Sequence, residues 1–113
     1  MTLTTSRLNA DVSTSPQLNP HDLAAVAAAG FRSVVNNRPD LEGGPAQPTS
    51  AAIEAQAKAA GLAYAYLPVN PAFQSAEEAA ALAQLLATLP KPILLFCRSG
   101  TRSAKLFHAA QSS

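Results

Sequence analysis

Four consecutive apolar residues, Ile93-Leu94-Leu95-Phe96, lie between the prolines Pro90 and Pro92 and an abruptly polar stretch, Cys97-Arg98-Ser99-Gly100-Thr101-Arg102-Ser103. A strand with one wet face alternates apolar and polar residues. A run that is apolar at every position is buried on both faces, as in the middle of a parallel sheet. Parallel neighbours need long crossovers, usually helical, so this run commits the chain to an α/β architecture.

The remaining segments supply the other elements. Residues 8–14 read as a short strand of mixed polarity, closed by Ser15-Pro16. Asn19 caps a helix with Pro20 at its first position, and that helix stops at Gly30. Residues 31–36, centred on Val34 and Val35, form a strand, and residues 37–45 are a loop rich in Asn, Pro and Gly. Ser50 caps a helix over 51–60, and residues 63–69 are a third strand. Ser75 and Glu78 have the spacing of a capping box, ahead of a stripe of Leu82, Leu85, Leu86 and Leu89 at helical spacing. A last helix covers 103–110. The order β-α-β-α-β-α-β-α predicts a four-stranded, mostly parallel sheet flanked by helices, in a single domain over residues 1–113. Ligands of such sheets bind beyond the carboxyl ends of the strands. Cys97 stands at such an end.

Composition narrows the chemistry. Of the 113 residues 48% are hydrophobic and 13% charged, which argues against disorder, and the net charge of +1 comes with no basic run carrying interleaved aromatics. No nucleic-acid partner is expected. One cysteine cannot form an internal disulfide or a multi-cysteine zinc site, and neither a metal nor a cofactor is expected. No stretch approaches the ~20 apolar residues of a membrane helix. The Thr- and Ser-rich N-terminus has no apolar signal core, so the expected location is cytoplasmic, where a reduced thiol persists.

The segment after the apolar run carries most of the functional signal. A tight loop that leads into a helix aims backbone N–H groups, guanidinium groups and the helix N-terminus at one sulfur. All of these favour negative charge, so Cys97 is expected to ionise easily beside an anion-binding site. Gly100 is expected to permit a positive φ, and Ser99, Thr101 and Ser103 are small enough for amides to converge. Arg102 suits bidentate binding of an anion. Arg98, Arg38 and Asp40 are further candidates for the substrate site. His21 and His108 read as ordinary surface or packed residues.

The loop Phe96-Cys97-Arg98-Ser99-Gly100-Thr101-Arg102-Ser103 resembles those of cysteine phosphatases and rhodanese sulfurtransferases. With Gly30-Phe31-Arg32-Ser33-Val34-Val35-Asn36-Asn37-Arg38-Pro39-Asp40 and Tyr66-Leu67-Pro68-Val69, it resembles more closely the bacterial phosphatase-like domain of β-lactamase-hydrolase-like proteins, over residues 4–110. The resemblance implies a fold like the dual-specificity phosphatases, a catalytic Cys97 and an anion-binding Arg102. Members of that family are described as phosphatase-like and as sulfur transferases, alone or fused to a metallo-β-lactamase-fold domain. A sulfur-oxidising partner of that fold is therefore implied as well.

Two departures from the phosphatase pattern bear on the reaction. Phosphatases of this class place five residues between cysteine and arginine, whereas four stand between Cys97 and Arg102. The stretch Val69-Asn70-Pro71-Ala72-Phe73-Gln74, where the general acid is expected, holds no acid. Asp40 or Glu42 could substitute. Sulfur transfer needs no acid, because a sulfane leaving group departs as an anion. The sequence therefore ranks a Cys97 persulfide transferase acting on a small anionic donor first. A phosphatase working through a cysteinyl-phosphate comes second, and a non-catalytic persulfide carrier or anion-binding module third.

Overall fold

The computed structural model describes residues 3–111. Its strands are β1 (Ser6–Arg7), β2 (Val12–Ser15), β3 (Ser33–Asn36), β4 (Ala63–Tyr66) and β5 (Ile93–Phe96), and its helices are α1 (Leu23–Ala28), α2 (Ser50–Ala59), α3 (Ala76–Thr88) and α4 (Thr101–Gln111). They build one sheet in the order β1-β2-β5-β3-β4, parallel throughout except for the antiparallel β1–β2 pair. The apolar run is the central strand. Its four residues are all fully buried.

The period of two along β5 divides the core in two. Ile93 and Leu95 face one cluster with Val12, Val35, Leu82 and Leu106, beneath α3 and α4. Leu94 and Phe96 face the other, with Leu23, Val26, Val34 and Ile53, beneath α1 and α2. Truncating either layer at β5, for instance Leu94→Ala, costs about 2–5 kcal/mol.

The sheet has five strands, not the four expected. The segment 8–14 is not one strand: the Asn9 Oδ1 accepts from the Asp11 and Val12 amides, both at 2.8 Å, and turns the chain between β1 and β2. Sequence patterning missed β1 because two exposed residues carry no alternation. The Ser75–Glu78 box forms as expected, with the Ser75 amide donating to Glu78 Oε1 (2.8 Å) and the Glu78 amide to Ser75 Oγ (3.0 Å). At α2 the cap moves one residue back. Thr49 Oγ1 accepts from the Ala52 amide, and the Ser50 hydroxyl is instead 2.7 Å from the Tyr64 hydroxyl. Helix α4 starts at Thr101, two residues earlier than expected, which places Arg102 and Ser103 in its first turn.

Register positions the site. Ser15 and Asn36 both pair with Phe96, so β2, β5 and β3 end flush. The chains leaving them cross-bond at once: the Asn37 amide donates to Phe96 O (2.8 Å), Gln17 to Arg98 O (3.2 Å) and Val69 to Asn37 O (3.0 Å). Four segments distant in sequence therefore meet over the carboxyl end of one buried strand.

Candidate active site

Cys97 is the first residue beyond β5 and is 1% exposed. The chain folds back on it through Gly100, whose φ of +94° is the left-handed conformation expected for a glycine there. The Gly100 amide donates to Cys97 Sγ at 3.0 Å. Burial pushes the thiol up and is the strongest single influence. The amide and hydroxyl of Ser103, with the amides of Gly100 and Ser99, together outweigh it and bring the thiol below its ordinary value.

The Ser103 hydroxyl has a second claim on its proton. It is fully buried and donates to Asn37 Oδ1 at 2.8 Å, while Asn37 Nδ2 donates to Leu67 O at 2.9 Å. A hydroxyl has one proton, so it serves either Asn37 or the sulfur at any moment. Of the influences on Cys97, the fixed amides are permanent and the hydroxyl must rotate to contribute. Asn37 is thus built into the support of the cysteine loop, whereas the sequence offered only a turn asparagine.

Above the sulfur lies a cleft of about 700 Å³, lined by Arg38, Glu42, Gly43, Pro71, Cys97, Arg98, Ser99, Thr101, Arg102 and Lys105. Its centre is an ion cluster. Arg102 meets Glu42 edge to edge, Nη1 to Oε2 at 3.0 Å and Nη2 to Oε1 at 2.9 Å, and Nη1 also donates to Val69 O at 3.2 Å. Arg38 donates from Nε to the same Oε1 at 3.0 Å and from Nη1 to Gln17 Oε1 at 3.1 Å. Arg102 and Arg38 are 7% and 9% exposed, so this charge is largely withdrawn from water. Arg102 Nε is buried and has no acceptor among the described residues.

The loop that delivers Glu42 is strained and closely packed. Leu41 holds φ at +67° with its side chain exposed. At Gly43 a Cβ would sit 2.6 Å from Arg38 Nη2, so any larger residue would displace the arginine. The Gly43 amide donates to Gln47 Oε1 (2.7 Å), and Gln47 Nε2 to Pro39 O (2.9 Å).

Cys97, Arg98, Ser99, Thr101, Arg102 and Arg38 line the cleft, and the Gly100 amide reaches the sulfur from behind it. Ser103 lies beneath the loop. Asp40 is not brought in. Its carboxylate accepts from the Ser50 amide at 2.7 Å, where it ties the loop to the start of α2. Glu42 does enter, but not as a proton donor: burial raises its carboxyl, yet the hydrogen bonds and charges of Arg102 and Arg38 outweigh that and hold it below the ordinary carboxylate value. Segment 69–74 presents Pro71 to the cleft while Asn70 Oδ1 takes the Ala72 amide, so no acid comes from that side. Gln17, Gln47 and the cleft-lining Lys105 carried no sequence signal, and Glu42 was expected only as a substitute acid. Only the i,i+4 spacing of Arg38 and Glu42 hinted at a pair. Among the described residues no cluster of three or more His, Cys, Asp or Glu could hold a metal, and no helix is long and apolar enough to cross a membrane.

Comparisons with known proteins bear on the family and the fold. Residues 5–113 match the profile described as the β-lactamase hydrolase-like protein, phosphatase-like domain. A β-lactamase hydrolase-like protein of Xylella fastidiosa is 36% identical over 100 residues, 88% of this chain and 23% of that protein. The chain thus spans about a quarter of that relative's length. A solved structure from Neisseria meningitidis, described as a prospective phosphatase, superposes with a TM-score of 0.83 at 30% identity, covering 90% of this chain and 72% of that one. The active form of Tk-PTP shares the fold at a TM-score of 0.64 and 17% identity, covering 95% of this chain and 80% of the other.

Proposed function

The chain belongs to the phosphatase-like domain family of β-lactamase hydrolase-like proteins, and from that premise we propose that it is a thiolate-dependent phosphatase acting on phosphate monoesters with good leaving groups. This reverses the order expected from the sequence. The observation that carries the reversal is the match of residues 5–113 to a phosphatase-like domain, and Arg102, whose buried Nε has no acceptor among the described residues, is the group suited to hold the anion. A donor left in that state costs about 1–3 kcal/mol, which the oxygen of a bound anion would offset if Arg102 turned that edge into the cleft. Glu42 holds the other edge of the guanidinium and fixes its plane.

The Cys97 thiolate uses its lone pair to form an S–P bond while the ester P–O bond breaks and its electrons leave on the alcohol oxygen. Loop amides and Arg102 take up the charge on the phosphoryl oxygens. Water then attacks phosphorus, the S–P bond breaks, phosphate leaves and the thiolate is restored, with the proton passing to solvent. The absence of a protonated carboxyl confines efficient turnover to esters whose leaving group departs as an anion, such as phenolates.

Sulfur transfer is the second reading, favoured by the four-residue spacing and by the same lack of an acid. The thiolate attacks the outer sulfur of thiosulfate, the S–S bond breaks, and sulfite departs. An acceptor thiolate or cyanide then removes that sulfur from the Cys97 persulfide. A metallo-β-lactamase-fold partner belongs to this reading, as the consumer of the persulfide. One experiment separates the two. Purified protein is offered an aryl phosphate or thiosulfate, and intact mass identifies the adduct on Cys97, with Cys97→Ser as control. A gain of phosphoryl with steady release of the phenol supports the phosphatase. A gain of one sulfur with thiocyanate formation and no phosphate release overturns it in favour of the transferase.

A further inference from the structure

Resting on the anion-binding reading of the Cys97 loop, we propose that the cleft takes a small organic molecule carrying two anionic groups, the second held by Arg98 and Lys105. The chain has eight Lys and Arg residues and seven Asp and Glu. Four of those cations, Arg38, Arg98, Arg102 and Lys105, line this one cleft against a single carboxylate, Glu42. The rest of the chain is left with more acids than bases. A nearly neutral protein has gathered its positive charge at one site, an arrangement that concentrates and orients anions there.

The four cations are not equivalent. Arg38 and Arg102 are buried and share Glu42, so their charge is partly spent inside the protein. Arg98 and Lys105 are exposed, and among the described residues neither side chain has an ion-pair or hydrogen-bond partner. They line the cleft from two elements. Arg98 follows Cys97 directly, and Lys105 lies one helical turn beyond the cleft-lining Thr101 on the same face of α4. On the proposed reading the first anion belongs to the loop amides and Arg102, which leaves this pair for a second. Size agrees. A cleft of about 700 Å³ is in the range of pockets that enclose a whole organic ligand, well beyond one phosphoryl group.

The test measures binding ratios in Cys97→Ser by calorimetry, with phenylphosphonate, para-carboxyphenylphosphonate and para-phenylenebisphosphonate as probes. The two doubly anionic probes are expected to bind about tenfold more tightly than phenylphosphonate, with the advantage shrinking as salt is raised. Adding Arg98→Gln and Lys105→Gln should bring the ratio to about one. Both sites are exposed, so the fold should tolerate the changes, which a melting curve verifies. The same ratios read as protection of Cys97 from iodoacetamide, with the cysteine intact, remove dependence on the serine variant. Equal affinity for all three probes, or a ratio that survives the double substitution, overturns the second subsite and leaves the first intact. If none of the probes binds, the anion-binding reading of the loop fails and this inference fails with it.

Discussion

Two loops meet over the end of β5, and they are built on opposite principles. The segment 97–103 is a contiguous device: nucleophile, left-handed glycine, converging amides and arginine follow one another, so their meeting is enforced by local geometry. The segment 38–47 is an assembled device. Its Glu42 matters only because it reaches Arg102, sixty residues away, and its Gly43 only because Arg38 needs the space a Cβ would fill. The first loop brings the thiol below its ordinary value. The second fixes the plane of the Arg102 guanidinium and offsets its charge.

Removing the nucleophile from the contiguous loop should have the largest effect. Cys97→Ser is expected to lower kcat/KM by at least about 10³-fold, since a hydroxyl there is not ionised near neutral pH. Steady-state assay of an aryl phosphate checks this. Arg102→Lys joins the two loops and should come next, with a loss of about 10²–10³-fold, because a point charge cannot fork onto both Glu42 and the phosphoryl oxygens. The same assay at saturating substrate should place most of that loss in kcat.

Within the assembled loop, Glu42→Gln should cost about tenfold in kcat/KM while leaving the dependence on leaving-group pKa unchanged. A general acid in that position would instead show a much steeper leaving-group dependence once removed. The pH dependence of stability gives an independent check. The folded value of Glu42 lies below its ordinary one, so its stabilisation is fully present above the ordinary carboxylate range and is lost as pH falls through the folded value. Urea midpoints taken from neutral to acid pH should therefore fall less steeply in Glu42→Gln than in the parent chain. The smallest effect is expected from Gly43→Ala, about 1–3 kcal/mol of stability and a few-fold in activity, because Arg38 must move. Thermal unfolding with the same assay measures both.

The contrast also explains what the sequence could reveal. Ile93–Phe96 announced a central parallel strand because burial on both faces leaves a compositional mark, and Ser75 with Glu78 announced a helix start because capping is local. The place of Cys97 at the strand end and the turn at Gly100 were legible for the same reason. Asp40 was misjudged because a carboxylate after a strand end looks the same whether it enters the cleft or caps α2 through Ser50. Asn37 was undervalued because its partner, Ser103, arrives from the other side of the sheet end. Strand β1 was lost because two residues are too few to show a period. Pairings imposed by the sheet register, and not by neighbours in the chain, stayed out of reach.

The state of the sulfur is open to direct measurement, because Cys97 is the chain's sole thiol and any alkylation reports on it alone. The rate of iodoacetamide modification should be followed against pH in the folded protein, with the urea-unfolded chain as reference. A thiol held below its ordinary value should give a curve that levels off at lower pH than the unfolded chain, whose inflection is expected near ~8.5. Coincident inflections, or a folded inflection above the unfolded one, would contradict the account.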